Sequence, residues 1–233
     1  MTKKCVSTAF KASIPVLFGY LTLGIAYGIL SSGSGFPWWL ATFSSLFIFA
    51  GSGQMLAVGL FAAGTPISVI LLSELLLNIR HIVYGLSLIT KFKGSGKWKP
   101  YLIFALTDET YSLLTTINPP ENENPYSFYG ILSLLDQCYW VLGSTLGAIM
   151  GTLIPFDLAG VDFALTALFI VLTIEQIKQS KDFVPPLTGA IFTIAAVILW
   201  KFNLIQSSNI LIISICSGIL ALFALKISEL KKL

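Results

Sequence analysis

Charge is scarce in this chain. Only 11% of its 233 residues are charged and one is a histidine, where soluble domains carry about 25% charged residues. The net charge of +3 is not a nucleic-acid signal, because the lysines fall in short clusters between apolar runs. The 3 cysteines, Cys5, Cys138 and Cys216, lie far apart and two of them sit in apolar segments. That pattern matches neither a disulfide framework nor metal-ligand spacing. Missing too is a small-residue cleavage site after the first apolar run, which follows Lys3, Lys4 and Lys11. The run therefore reads as a retained first helix, not as a leader.

What the chain does have is apolar length. Hydrophobic residues make up 55% and the mean hydropathy is +0.85. Eight apolar segments can be marked, at about 13–32, 36–63, 66–90, 100–117, 127–154, 161–177, 184–201 and 209–226. These features imply an all-α membrane protein, a polytopic helical bundle forming a single integral membrane domain over residues 1–233.

The loops set the topology. Lys91, Lys93, Lys97 and Lys99 fill one loop, while Glu121 and Glu123 occupy the next. Eight crossings with a cytoplasmic N-terminus would put the four-lysine loop outside, against the positive-inside bias. Segment 36–63 is interrupted by Gly51-Ser52-Gly53-Gln54, and segment 161–177 is short and followed by Lys178 and Lys181. If both dip in and return, every basic residue except Arg80 and Lys201 becomes cytoplasmic, with both termini inside. Six crossings plus two broken or re-entrant helices is the preferred architecture. The simpler model lets 36–63 cross as one long helix and accepts one charge violation.

A weak internal repeat supports the first model. The stretch from Tyr20 through Gly24 to Gly28 resembles that from Tyr139 through Gly143 to Gly147. Likewise, the run from Ala41 to Phe49 resembles that from Phe163 to Val171, with Gln54 opposite Gln176. Halves of about 12–117 and 127–226, each with three crossings and one broken segment, are inverted relative to each other. Secondary transporters recurrently use that plan, with the broken segments at the binding site. The glycine patterns themselves, Gly24-x3-Gly28 and Gly143-x3-Gly147-x3-Gly151, read as helix-packing ridges.

Ionisable groups inside apolar segments carry the functional signal, because they persist in lipid chiefly where they line a cavity or meet partners. In the run Pro66–Thr90, Glu74, Asn78, His81 and Gly85 share one helical stripe, and Arg80 points to the side. Glu74 and His81 can relay a proton, or His81 can be a neutral histidine bonded to a carbonyl or carboxylate. Arg80 can hold a substrate carboxylate through its fork of donors, or pair structurally with Asp108, Glu109 or Asp136. Asp108 shares a polar stripe with Tyr111, Ser112 and Thr115, while Glu109 faces about 100° away. We expect Glu109 to pair with Arg80 and Asp108 to accept a substrate ammonium. The glycine break offers backbone donors and acceptors to a zwitterion, or else only kinks a helix. Asp136, Glu175 and Gln176 are second-tier candidates.

Three strings in order, Phe49-Ala50-Gly51-Ser52-Gly53-Gln54, Asn78-Ile79-Arg80-His81 and Thr107-Asp108-Glu109, resemble the AzlC-like branched-chain amino acid permease family. The similarity runs from about Lys11 to about Leu225. It implies a non-enzymatic exporter of valine, leucine and isoleucine in the cytoplasmic membrane, acting with a small, separately encoded AzlD-like membrane subunit and no cofactor. No ATP-binding signature is present, so coupling is expected to be secondary. Two other classes are weaker. A passive channel fits poorly with charged groups at mid-membrane. A serine intramembrane protease needs a nucleophile turn that Ser32-Gly33-Ser34-Gly35, at a membrane edge, does not provide.

Overall fold

The computed structural model describes residues 3–153, 170, 173–174, 177–178 and 181–230. These residues are helical with connecting loops, and no strand occurs among them. Segment 161–177 lies almost entirely outside them, as do Glu175 and Gln176, so the expectations placed there stay as sequence expectations.

The helices are α1 (Lys3–Gly33), α2 (Trp38–Phe47), α3 (Gly51–Ala62), α4 (Ile67–Asn78), α5 (Arg80–Leu88), α6 (Lys99–Phe104), α7 (Asp108–Thr116), α8 (Pro125–Leu153), α9 (Val184–Lys201) and α10 (Ile210–Leu230). Among the described residues, three stretches are helices long and apolar enough to cross a bilayer: Lys3–Gly33, Ile67–Leu88 and Val184–Lys201. A helix of 31 residues extends about 46 Å, more than the hydrocarbon thickness of about 30 Å.

The described residues group into two compact units. One lies within Met1–Gly59 and Asn78–Asp162, the other within Leu60–Leu77 and Phe163–Leu233. In the first unit α1 packs along α8 with almost no side-chain layer between them. A Cβ added at Gly24 would stand 3.0 Å from the Ser144 backbone nitrogen, and one at Gly143 would stand 3.0 Å from the carbonyls of Tyr20 and Leu21. At Gly28 and Gly147 a Cβ would collide with the facing backbone of Ser144 and Ile25. The glycine ridges thus serve the packing role their spacing suggested. Ser32 Oγ seals the pair by donating to the Ala148 carbonyl at 2.8 Å. In the second unit α9 packs against α10.

Three apolar segments are more broken than their hydropathy indicated. The first interruption falls at residues 48–50, one turn before the glycine string. Phe49 takes the left-handed conformation there, with φ +50°, and Gly51 instead opens α3. The second is a single residue, Ile79, between α4 and α5; it keeps helical angles (φ −57°, ψ −26°), so the stripe from Glu74 to Gly85 passes through a loosened turn. The third, at residues 105–107, divides segment 100–117 into α6 and α7 and leaves Asp108 first in its helix. Its physical cause is an N-cap: Thr107 Oγ1 accepts from the Thr110 backbone N–H at 3.2 Å, and acids follow in the first turn, where the helix dipole favours them.

Candidate functional site

Each interruption creates a new helix start, and three of these starts meet. Arg80, first residue of α5, bonds through Nη1 to Asp108 Oδ2 at 2.6 Å. Its Nη2 donates to Oγ of Ser52, the second residue of α3, at 2.8 Å. Asp108 opens α7 and is held on its other oxygen by the Tyr84 hydroxyl, at 2.5 Å. Tyr84 in turn stacks on Tyr111 with ring centroids 4.5 Å apart. The starts of three short helices and one guanidinium therefore share a single locus, with Asp108 already balancing the guanidinium's charge.

This arrangement corrects the expected pairing. Arg80 takes Asp108, not Glu109. The reason is the cap at Thr107: with α7 starting at Asp108, that side chain leaves the helix end towards α5, while Glu109 turns away to α1. There the Tyr20 hydroxyl donates to Glu109 Oε2 at 2.8 Å. Both members of the ion pair keep about a third of their side-chain surface exposed, 34% for Arg80 and 29% for Asp108. The Arg80 Nε is buried and has no hydrogen-bond partner among the described residues. A buried N–H in that state is a donor aimed at something the chain itself does not supply.

Gln54 has a different task. Its Oε1 accepts from the Ala50 backbone N–H at 3.2 Å and from Trp140 Nε1–H at 3.0 Å. Its Nε2 donates to Ser44 and Ser45 Oγ at 3.0 and 3.2 Å. All four hydrogen-bonding positions of the amide are occupied, so Gln54 braces the break at 48–50 against α8. Phe49 is 3% exposed and meets Tyr20 edge-on, with ring centroids 6.2 Å apart. Gly51 lies against the Trp140 ring, and Gly53 donates its N–H to the Ala50 carbonyl at 2.6 Å.

His81 Nδ1–H donates to the Asn78 carbonyl at 3.1 Å. Glu74, on α4, belongs to the second unit. Asp136, on α8, is fully buried and accepts from Thr110 Oγ1 at 2.8 Å.

Sequence reasoning missed Tyr20 and Tyr84, the two hydroxyls that hold the acidic pair. A tyrosine in an apolar helix leaves no mark on composition. Thr107 was detectable, since a threonine followed by two acids is a helix-start signature.

Comparison with known proteins places the chain among its relatives. The family model described as AzlC protein matches residues 15–154, which include all three interruptions. The chain is 41% identical over 197 residues to the branched-chain amino acid transport protein AzlC of Bacillus subtilis, covering 84% of this chain and 77% of that one. It is 37% identical over 234 residues to an uncharacterized membrane protein of Haemophilus influenzae, covering 98% and 91%. The inner membrane protein YgaZ of Escherichia coli is 29% identical over 191 residues, covering 78% of each. No solved structure matches the chain. With a family model across more than half its length and relatives aligned over most of the rest, this chain belongs to the AzlC family of membrane transport proteins.

Proposed function

We propose that the protein is a secondary transporter that exports branched-chain amino acids across the cytoplasmic membrane, together with a small AzlD-like membrane subunit. The observation that carries this reading is the meeting of three helix starts at Arg80. An amino acid is a zwitterion, and the locus offers complementary parts for both ends. The substrate carboxylate is received by Arg80, through the unpartnered Nε, and by the first N–H groups of α3 at Gly51 and Ser52, which have no carbonyl one turn back. Glu109 accepts the ammonium, because both oxygens of Asp108 are already engaged. Asn78 and Phe49 stand two residues before Arg80 and Gly51 and border the locus in sequence, Phe49 with an apolar ring and Asn78 with a polar amide. The relative from Bacillus subtilis, named for branched-chain amino acid transport, supports this substrate class.

The topology belongs to the same proposal: a polytopic bundle with both termini cytoplasmic, corrected at two points, since the halves are not inverted and segment 100–117 does not cross. Gly24, Gly28 and Ser32 of α1 meet Gly143, Gly147 and Gly151 of α8 in rising order, so the two helices run parallel, where an inverted repeat needs them antiparallel. Segment 100–117 folds back at residues 105–107, so that Lys91 bonds to the Leu114 carbonyl and the Tyr126 hydroxyl donates to the Lys93 carbonyl at 2.7 Å. Cysteines placed at Lys97 and Glu123 in a Cys-free background should therefore label from the same, cytoplasmic side; labelling from opposite sides would overturn this topology.

The test is counterflow in liposomes. Vesicles loaded with unlabelled isoleucine should transiently accumulate labelled isoleucine above equilibrium, with valine and leucine competing and the small subunit present. A passive channel equilibrates label without overshoot. No overshoot for any of the three amino acids, with the subunit present, would overturn the reading.

A further inference from the structure

Glu109 and Asp136 are joined by an unbroken line of side-chain hydroxyls. Glu109 Oε2 stands 2.8 Å from the Tyr20 hydroxyl. Tyr20 stands 2.6 Å from Thr107 Oγ1, Thr107 3.1 Å from Thr110 Oγ1, and Thr110 2.8 Å from Asp136 Oδ2. The line draws on α1, α7 and α8, and its three hydroxyl residues are at most 8% exposed. Nothing in the reading of the transport site uses Asp136 or Thr110.

Proton counting makes this line informative. A hydroxyl carries one proton, so Tyr20, Thr107 and Thr110 bring three protons to four oxygen–oxygen links. With both carboxyls ionised, one link holds two oxygens at hydrogen-bond distance with no proton between them. A fourth proton, on either carboxyl, fills every link with one consistent polarity. Asp136 is 0% exposed and its Oδ1 has no partner among the described residues; a carboxylate in that position is left half-solvated, which a proton relieves. The charges around it offer no alternative. The titratable groups that act on Asp136 are Glu109 from α7, Tyr20 from α1, Tyr101 from α6 and Tyr139 of its own helix. Helix α2, which also packs on α8, carries none. The cation Arg80 acts on Glu109 at the far end, beside Asp108.

We propose that Glu109 and Asp136 share one proton through Tyr20, Thr107 and Thr110, and that this line is the protein's proton relay. Transfer is a concerted shift. The proton on Asp136 passes to the Thr110 oxygen, Thr110 gives its own to Thr107, Thr107 to Tyr20, and Tyr20 to Glu109. Each hydroxyl ends with one proton, and one positive charge has moved between the carboxyls. The consequence for transport rests on the function proposed above: an ammonium at Glu109 keeps that carboxyl ionised and holds the proton at Asp136.

Infrared spectroscopy of the purified protein near neutral pH reads the proton without any transport. Wild type should show a protonated carboxyl C=O band, and Asp136→Asn should lose it while staying folded, because the Asn amide itself donates to Thr110 and fills the fourth link. Thr110→Val, which cuts the line, should keep the band. In liposomes both variants should retain counterflow at equal pH but lose the stimulation that an imposed pH gradient gives wild type. A wild type without the band, a band that survives in Asp136→Asn, or a Thr110→Val that keeps the full gradient response would overturn the relay. A wild type with the band and no counterflow would uphold the shared proton and sink the transport reading instead.

Discussion

Helices α8 and α9 are both long apolar rods, yet they solve opposite problems. Helix α8 buries Ser133, Asp136, Gln137 and Ser144 together with Gly143 and Gly147. Helix α9 buries only Thr188 and Ala196, and leaves Leu187, Ile191, Ile194 and Ile198 exposed. Hydropathy treats the two alike. The difference lies in what each face meets: α8 meets other backbone and polar side chains, while the outer face of α9 is the surface that lipid chains solvate. Specificity in this fold is concentrated where apolar helices carry polar residues, and the rest is tolerant filling.

Paired substitutions can break that contrast. The largest effect should come from glycine. Gly147→Val drives a side chain into the Ile25 backbone and should cost about 3 kcal/mol or more, seen as loss of the monodisperse peak in detergent. Gly189→Val, on α9 where an added Cβ meets nothing within 4 Å, should leave the peak intact. A tolerated Gly147→Val would remove the distinction between the helices.

Charge comes next. Arg80→Gln strands Asp108 and should cost about 2 kcal/mol, between the values for exposed and buried pairs. Adding Asp108→Asn should recover most of the thermal stability, whereas adding Glu109→Gln should not. Recovery by the Glu109 variant instead would reassign the pair.

The smallest effect should be Trp140→Phe. It forfeits the 3.0 Å bond to Gln54 and should lower stability by about 1 kcal/mol. Trp200→Phe on α9, where the indole is 45% exposed, should change it by less than about 0.5 kcal/mol. Thermal melts of the two purified variants compare them directly.

The sequence made much of the site legible and blurred its register. Arg80, Ser52, Asp108 and Glu109 stand out because polar groups in apolar runs are costly, and the structure brings the first three together. Which acid Arg80 takes depends on where α7 begins. That start was marked by Thr107 and the two acids after it, but Phe104, Ala105 and Leu106 keep the run apolar straight through the break and disguised it. The interruption before Gly51 was displaced for a related reason. The left-handed residue is Phe49 and not a glycine, held by contact with Tyr20 and Phe104, and no local preference announces that. Tyr20 itself is invisible to any rule about charge, although it touches Glu109, Thr107, Phe49 and Trp140 at once.

The glycine contact between α1 and α8 also constrains how the first unit can move. Packed helices normally slide a little because their side chains swap rotamers, which acts as a lubricating layer. Where Gly24, Gly28, Gly143 and Gly147 put backbone on backbone, that layer is missing, and the two rods travel as one rigid spar. Displacement is left to the short helices whose ladders already stop at Phe49, Ile79 and Thr107.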